Sequence, residues 1–343
     1  QLPNPNLKWE ESEQVDVGID FGFLQNMFTF SIDYFNKNTN GMLMTMSLPQ
    51  YIGEAIPMGN VGKMRNSGLE MDFNYRQNFG DLSLRVNANA SYLKNKLIDY
   101  GTEQGWANYD TFQGTGTITR AENGQPFPFF YGYKTDGIIQ NAAEAAEYNT
   151  KYGTSLVPGD VRFTDVNGDG AITEDDRTKI GKGMPDWTYG FGLTAMYKGF
   201  DLNVFFQGTA GNDIFDATRR TDALASNLPS WMLNRWTGEG STNKLPRYVQ
   251  ADGYNWQSSD LLVYDGSYLR LKNIQLGYTL PERLTKKVFV SKFRVYVAAE
   301  NLLTWTKYHG FDPEISSGGT SLGVDYGVYP QARVWTVGFN LAF

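Results

Sequence analysis

Asp165, Asn167 and Asp169 stand at alternate positions of the stretch DVNGDGAITEDD, which continues through Ala171 and Thr173 and closes at Asp176. Counted from Asp165, these fill positions 1, 3, 5, 7, 9 and 12 of a calcium loop of EF-hand or dockerin type. Gly170 falls where the chain must bend sharply, and Ile172 is the apolar anchor. Side-chain oxygens from Asp165, Asn167, Asp169 and Asp176, the Ala171 carbonyl and a water on Thr173 would make a hard-oxygen cage suited to Ca2+. Aspartate at the last position is shorter than the usual glutamate. An Asx-rich turn without metal uses the same residue types, so both readings stand. The role of a bound ion here would be structural, stiffening a long loop.

Other chemistry-bearing residues are weaker. Gly319-Thr320-Ser321-Leu322-Gly323 has the letters of a nucleophile elbow, and His309, the single histidine, lies near Asp312. An elbow needs a strand before it and a helix after it. A Gly/Ser-rich loop precedes this one and Asp325-Tyr326-Gly327 follows it. No phosphate-binding or dinucleotide fingerprint is present. Acidic pairs such as Glu10-Glu11 and Asp175-Asp176 read as strand-edge and metal-loop charge. The expectation is that the chain is not an enzyme.

The elements that would position these residues are strands. In the tail, Trp335, Val337, Phe339, Leu341 and Phe343 alternate with Thr336, Gly338, Asn340 and Ala342. Eight more segments keep this period of two: Gln14–Phe23, Phe28–Tyr34, Leu69–Arg76, Leu82–Tyr92, Trp187–Tyr197, Asp201–Gln207, Ile274–Leu280 and Phe293–Ala299. The links between them alternate in length. Short ones lie at Gln25-Asn26, Asn78–Asp81, Lys198–Phe200 and after Pro281. Long ones run over Gly41–Asn66, Ile98–Asp186, Gly208–Gly266 and Lys307–Pro330. Strict alternation of short turns and long loops is the habit of an outer-membrane barrel, with turns periplasmic and loops extracellular. The fold class is therefore all-β, an antiparallel transmembrane β-barrel. With the C-terminus periplasmic, every long loop falls outside, and Asp16, Asp20, Glu70, Asp72 and Arg76 face the lumen. Nine strands are too few and odd in number, so others precede Gln1 or lie within Ile98–Asp186.

Composition agrees. The 343 residues include 15% aromatics and 37 glycines, and mean hydropathy is −0.43. No apolar run approaches the ~20 residues of a membrane helix. A barrel needs none, because every second residue faces the lumen. The net charge of −7, with no basic stripe, argues against nucleic acid as a partner. The absence of cysteine removes thiol and zinc-thiolate chemistry. Gln1 opens in polar, Pro-containing sequence, as the later part of a longer protein would. The loops are rich in aromatics. Trp106, Tyr109, Phe130, Tyr131, Trp231 and Trp256 are candidate ligand or partner contacts; the alternative is that they pack the loops against one another.

These residues carry a resemblance. NPNLKWEESEQVDVGIDFG (4–22), NVGKMRNSGLEMDFNY (60–75), FYGYKTDGI (130–138), PGDVRFTDVNGDGAITEDDRTKIG (158–181), GSYLRLKNIQLGYTLP (266–281), VYVAAENLLTWTKYHGFDPEI (295–315) and YPQARVWTVGFNLAF (329–343) resemble, in order, the late barrel region of SusC/RagA-type TonB-dependent transporters. The resemblance implies that residues 1–343 are the C-terminal portion of a 22-stranded outer-membrane barrel. Residues 98–185 would then be an extracellular loop region. It implies as partners an N-terminal plug and barrel half, a SusD-like surface lipoprotein acting as a lid, the TonB complex, and membrane lipid or lipopolysaccharide. Nutrient oligomers, glycans or peptides, would be the cargo, and Phe343 the signal read by the barrel-assembly machinery. The alternative class is a calcium-stiffened structural or adhesive surface barrel without transport.

Overall fold

The computed structural model describes residues 5, 7–45, 58–113, 116–218, 227–249 and 252–343. Its first four strands are long: β1 (Glu11–Phe23), β2 (Phe28–Thr45), β3 (Met58–Phe79) and β4 (Leu82–Asp99). Six short strands follow, with one helix among them: β5 (Trp106–Asn108), β6 (Thr119–Glu122), β7 (Phe129–Gly132), β8 (Thr135–Ile138), α1 (Ala142–Tyr152), β9 (Val161–Phe163) and β10 (Thr178–Gly181). The long strands then resume as β11 (Trp187–Tyr197) and β12 (Phe200–Ala210), interrupted by the short β13 (Asp213–Asp216) and β14 (Val263–Asp265). They end with β15 (Tyr268–Thr279), β16 (Lys292–Thr306), the two-residue β17 (Val324–Asp325) and β18 (Val334–Ala342).

One antiparallel sheet takes the nine long strands in the order β1-β2-β3-β4-β11-β12-β15-β16-β18. Each long strand thus lies beside the next one in sequence, the up-and-down topology that barrels use. These are the nine segments that alternate in the sequence. β11 pairs directly with β4, so the stretch 98–186 supplies no strand to this wall, contrary to one of the two expectations above. Its strands form small separate sheets because they are only three or four residues long and turn over the end of the wall.

The register builds two chemically different faces. Phe21 is level with Phe30, then with Phe73, Ala88, Phe191 and Phe206 across successive strands. Toward the C-terminus another such row runs Leu202, Leu276, Val297 and Val337. On the other face Asp20 accepts a hydrogen bond from Ser31 at 2.6 Å, and the row continues through Asp72, Asn89 and Gln207. An apolar band that is exposed or half-buried across nine strands is stable against lipid and not against water. The 11 residues of β11, from Trp187 to Tyr197, at ~3.4 Å each and a tilt of ~45°, climb roughly 25 Å, the height of a barrel's apolar band. Aromatic residues mark both ends of it: Tyr92 against Trp187 at 5.0 Å on one side, Phe28 against Tyr75 at 4.7 Å and Phe200 against Tyr278 at 4.5 Å on the other.

Three of the short links are tight turns, and the fourth, after Pro281, carries a single helical turn over Glu282–Thr285 and a 3-10 turn over Lys286–Val288. Lys198 and Gly199 both take positive φ (46° and 89°), as a two-residue type I′ hairpin requires. Beyond the aromatic row at the loop end, β2 and β3 run on to Thr45 and Met58, so the link expected over Gly41–Asn66 shrinks to residues 46–57, outside the described residues. The three remaining long links merge. Phe112, Ile118 and Phe130 from the first, Phe215, Met232, Trp256 and Leu262 from the second, and Val324 from the third form one hydrophobic core. β17 joins β13 in parallel, Phe215 level with Val324. Residues 98–185 are therefore part of a loop domain shared by all three links.

Candidate functional site

Two regions bring polar and aromatic groups together: the polar face of the wall, and the loop domain above it. On the wall, a hollow of about 900 Å³ is lined by Asp20, Asp72, Asn74, Arg76, Arg85 and Asn87, among others. A second of about 470 Å³ lies beside it, lined by Asp33, Glu70, Asn89, Thr188 and Gln207. Lower down, Arg294 grips Asp201 through two hydrogen bonds of 2.9 and 2.5 Å. Gly277 lies between these strands, and a Cβ there would strike both ends of the ion pair. Carboxylates, amides and guanidiniums spaced along a concave wall can bind the hydroxyls and amides of a polar oligomer without doing covalent chemistry on it.

In the loop domain a hollow of about 540 Å³ is walled by Trp231, Tyr264 and His309 on one side and by Thr135, Asn243, Lys244 and Asp260 on the other. Asp260 braces one edge by accepting from the Thr135 hydroxyl at 2.6 Å. His309 lies 4.9 Å from Trp231, the rings tilted by 59°, and edge-on to Tyr264 at 4.3 Å, and its Nε2 lies 3.1 Å from the buried Asp216 carboxylate. Burial pushes the Asp216 carboxyl up, but His309 and the hydroxyl and amide of Thr218 outweigh that and hold it below the ordinary range.

Asp312, the residue a triad would pair with His309, serves elsewhere. It accepts from Arg270 Nη2 at 2.5 Å, both side chains being buried. Arg270 also bonds Glu314 at 2.8 Å, and Glu314 bonds Lys272 at 2.8 Å. This network fastens the link 307–330 to β15. Gly319–Ser321 forms a lone 3-10 turn between Gly318 and Leu322, not the strand-to-helix bend of a nucleophile elbow.

The aromatic candidates divide. Phe130 (0% exposed) and Trp256 (1%) belong to the loop core, and Tyr131 is buried as well. For these three the structure favours the packing alternative over ligand contact: a ring with almost no accessible surface has almost none to offer a ligand. Tyr131 lies beneath the Arg120 guanidinium at 3.5 Å and the Arg177 guanidinium at 4.8 Å, and Arg120 also covers Trp106 at 4.3 Å. Half-buried Trp106 is thus the outer end of an alternating ring-and-guanidinium stack. Tyr109 is half-buried and shares a 2.9 Å hydroxyl contact with Tyr100. Trp231 lines the loop hollow. Phe343 follows β18 and is 90% exposed.

The Asp165–Asp176 loop is folded by its own side chains. Asp165 accepts from the amides of Gly168 (2.6 Å) and Gly170 (3.0 Å), Asn167 from Asp169 (2.9 Å), and Asp169 from Ala171 (2.9 Å). Asp176 accepts from Val166 (2.8 Å), Asn167 (3.4 Å) and Thr173 (2.8 Å). These Asx turns place all four side chains around one bend. Among the described residues no three His, Cys, Asp or Glu side chains converge as a metal cluster. Asn167, the Ala171 carbonyl and Thr173 are the oxygen donors that would complete a set of hard ligands.

Sequence reasoning missed the Arg270 network, the Asp216–His309 pair and α1. The helix did carry a signal: Asn141 accepts from the Glu144 amide, Glu144 answers to the Gln140 amide, and Gly153 ends the helix at φ 66°.

Comparison with known proteins follows the same lines. Residues 1–302 match the family model described as TonB dependent receptor-like, beta-barrel. TonB-dependent receptor P3 of Formosa agariphila is 35% identical over 99% of this chain and 35% of its own length. TonB-dependent receptor SusC of Bacteroides thetaiotaomicron is 26% identical over 99% of this chain and 32% of its own. A solved structure of the RagAB peptide transporter superposes with a TM-score of 0.79 at 28% identity, covering 100% of this chain and 36% of that one. The chain spans about a third of the length of the relatives it matches.

Proposed function

The chain belongs to the TonB-dependent receptor β-barrel family, whose members are outer-membrane proteins, and we propose that it works as the C-terminal barrel portion of a SusC/RagA-type importer of nutrient oligomers, glycans or peptides. The observation that carries this reading is the two-faced wall: one apolar band over nine strands, backed by a polar face with hollows of about 900 and 470 Å³. A solely adhesive barrel has no need of a concave, hydrogen-bonding interior. In this reading the loop domain is extracellular and the short turns and C-terminus are periplasmic. A SusD-like lipoprotein closes over the loop domain, and TonB supplies energy through the plug of the whole receptor.

Trp231 and His309 stand where cargo enters, their ring faces suited to sugar rings or apolar side chains. Ca2+ in the Asp165–Asp176 loop belongs to the same proposal. It rests on the ligand spacing; Asp165, Asn167, Asp169 and Asp176 fold the same short loop by accepting from its own amides, and among the described residues the carboxylates do not converge as a metal cluster. The ion would add stiffness to a loop that already folds on itself.

The test is uptake by cells carrying the whole receptor. Labelled glycan oligomers and labelled peptides are offered in parallel to the parent strain and to a strain lacking the receptor. Loss of one class on deletion, with the same loss when the proton gradient is collapsed, supports the reading. Equal uptake of both classes with and without the receptor overturns it.

A further inference from the structure

On β4 the apolar face runs Leu82, Leu84, Val86, Ala88, Ala90 and Tyr92, and the next two residues on that same face are Lys94 and Lys96. Tyr92 is level with Trp187, their rings 5.0 Å apart, in the aromatic row at the loop end of the band. One strand step beyond that row is ~7 Å, the depth of lipid headgroups. Both lysines are exposed, and Arg65, level with Lys96 on β3, joins them on this face and donates to Asn38 at 2.8 Å.

Beside them lies a hollow of about 360 Å³ lined by Lys94, Lys96, Lys179 and Lys182, with Asp186 the one carboxylate. Lys182 is ion-paired to Asp186. Among the described residues no carboxylate pairs with the other three. Partial burial first, and then the nearby Lys182, push the Lys179 ammonium down from its ordinary value against the opposing pull of Asp186 and Asp213. In a chain of net charge −7 this is a local reversal of sign. Below it, Ala88 and Ala90 are level with Phe73 and Met71 on β3 and with Phe191 and Tyr189 on β11. Two small residues between bulky ones leave a shallow furrow descending into the apolar band.

We propose that Lys94, Lys96, Lys179 and Lys182 form a binding site for the phosphate of a phosphorylated outer-leaflet glycolipid, whose acyl chain lies in the Ala88–Ala90 furrow. The site rests on the membrane reading above. A dianionic phosphate relieves the repulsion among the ammoniums, and the furrow favours an anchored phosphate over a free one.

The test uses the whole receptor extracted from the outer membrane in mild detergent and examined by native mass spectrometry. Wild-type receptor is expected to retain one phosphorylated glycolipid and to lose it to the same lipid added in excess. The enzymatically dephosphorylated lipid is expected not to displace it. Lys94→Glu with Lys96→Glu should weaken retention on the order of thirtyfold, and Lys287→Glu on the turn side should leave it unchanged. If the charge reversal reduces receptor in the membrane, Lys94→Gln with Lys96→Gln gives the same comparison at lower cost to assembly. Equal retention by wild type and the lysine variants overturns the proposal, as does equal displacement by dephosphorylated lipid. Displacement by millimolar inorganic phosphate with no glycolipid retained assigns the site to free phosphate and overturns the lipid. A receptor absent from the outer-membrane fraction fails both this site and the importer reading; one present there without glycolipid fails this site alone.

Discussion

Asp165 and Asp169 differ in what they do without metal, and that difference makes the calcium loop testable. Asp165 holds two backbone amides, of Gly168 and Gly170, whereas Asp169 holds one backbone amide, of Ala171, and the exposed side-chain amide of Asn167. Asp165→Ala is therefore expected to cost about 1–2 kcal/mol even in chelator. Asp169→Ala in chelator is expected to cost less than about 1 kcal/mol. If Ca2+ is bound, both variants lose more in excess calcium than in chelator, because they also lose the ion's linked stabilisation. Thermal unfolding of the whole receptor in the two buffers reads this directly; losses that do not differ between buffers remove the metal. Three loop-domain carboxyls share a second property. Burial pushes Asp176 up, but the amides of Thr173, Val166 and Asn167 outweigh it, and the net pKa is lowered. Burial likewise pushes Asp312 up, and the amides of Gln331 and Glu314 together with Arg270 bring it below the ordinary value. Asp216 follows the same balance with His309 and Thr218. A carboxyl whose folded pKa lies below its unfolded one stabilises the fold above the unfolded value, near 4, and that contribution is lost as pH falls through the folded value. The loop domain is thus expected to keep its protease resistance at pH 5 and to lose it below about pH 4; loss already complete at pH 5 would contradict these balances.

The link 307–330 is held to the wall by one buried cation. Arg270, between Asp312 and Glu314, comes from β15, and Lys272 adds a second tie to Glu314. Replacing Arg270 with Met leaves Asp312 buried without its counter-ion, a loss of about 3 kcal/mol. Cleavage by trypsin at Lys307 or Arg333 should then rise on the order of a hundredfold, since local opening limits proteolysis. An unchanged rate would mean the link is held by the β13–β17 pairing instead. The same element shows what the sequence can and cannot reveal. The wall was legible because its alternation is driven by lipid on one side and water on the other, at every residue from Val15 to Phe23 and from Trp335 to Leu341. Strand ends were not: past the band, β2 continues as Asn36-Lys37-Asn38-Thr39-Asn40, where both faces are polar and the period of two vanishes. The loop site was illegible for another reason. Thr135 meets Asp260 and Asp216 meets His309 across 125 and 93 residues, and no local pattern encodes such pairs. Phe130 and Trp256 could be read either as ligand contacts or as packing rings, because the shared core that buries them is assembled from three links.

As a whole, the molecule is a wall with two open edges. Among the described residues β1 pairs only with β2, and β18 only with β16, in a sheet that does not close on itself. Of the 13 residues of β1 and the 9 of β18, about half the backbone amides and carbonyls face away from a partner strand. In lipid each unmet group costs several kcal/mol, which is why spanning sheets are closed. The apolar residues of β1, Val15, Val17 and Ile19, are exposed, so the lipid-type band reaches the very edge. Further strands must therefore pair with both edges before the wall can sit in a bilayer, in keeping with a chain that spans about a third of its relatives. The loop domain faces no such demand, because its core is internal and its sheets are covered. Refolded alone into detergent, these 343 residues are expected to give no heat-modifiable band on a gel, while protease digestion still leaves protected fragments from the loop domain. Adding the preceding part of the receptor in trans should convert the material into a single compact, heat-modifiable species. A heat-modifiable monomer formed by these residues alone would mean that β1 and β18 can find each other, and that nine strands suffice to close a barrel.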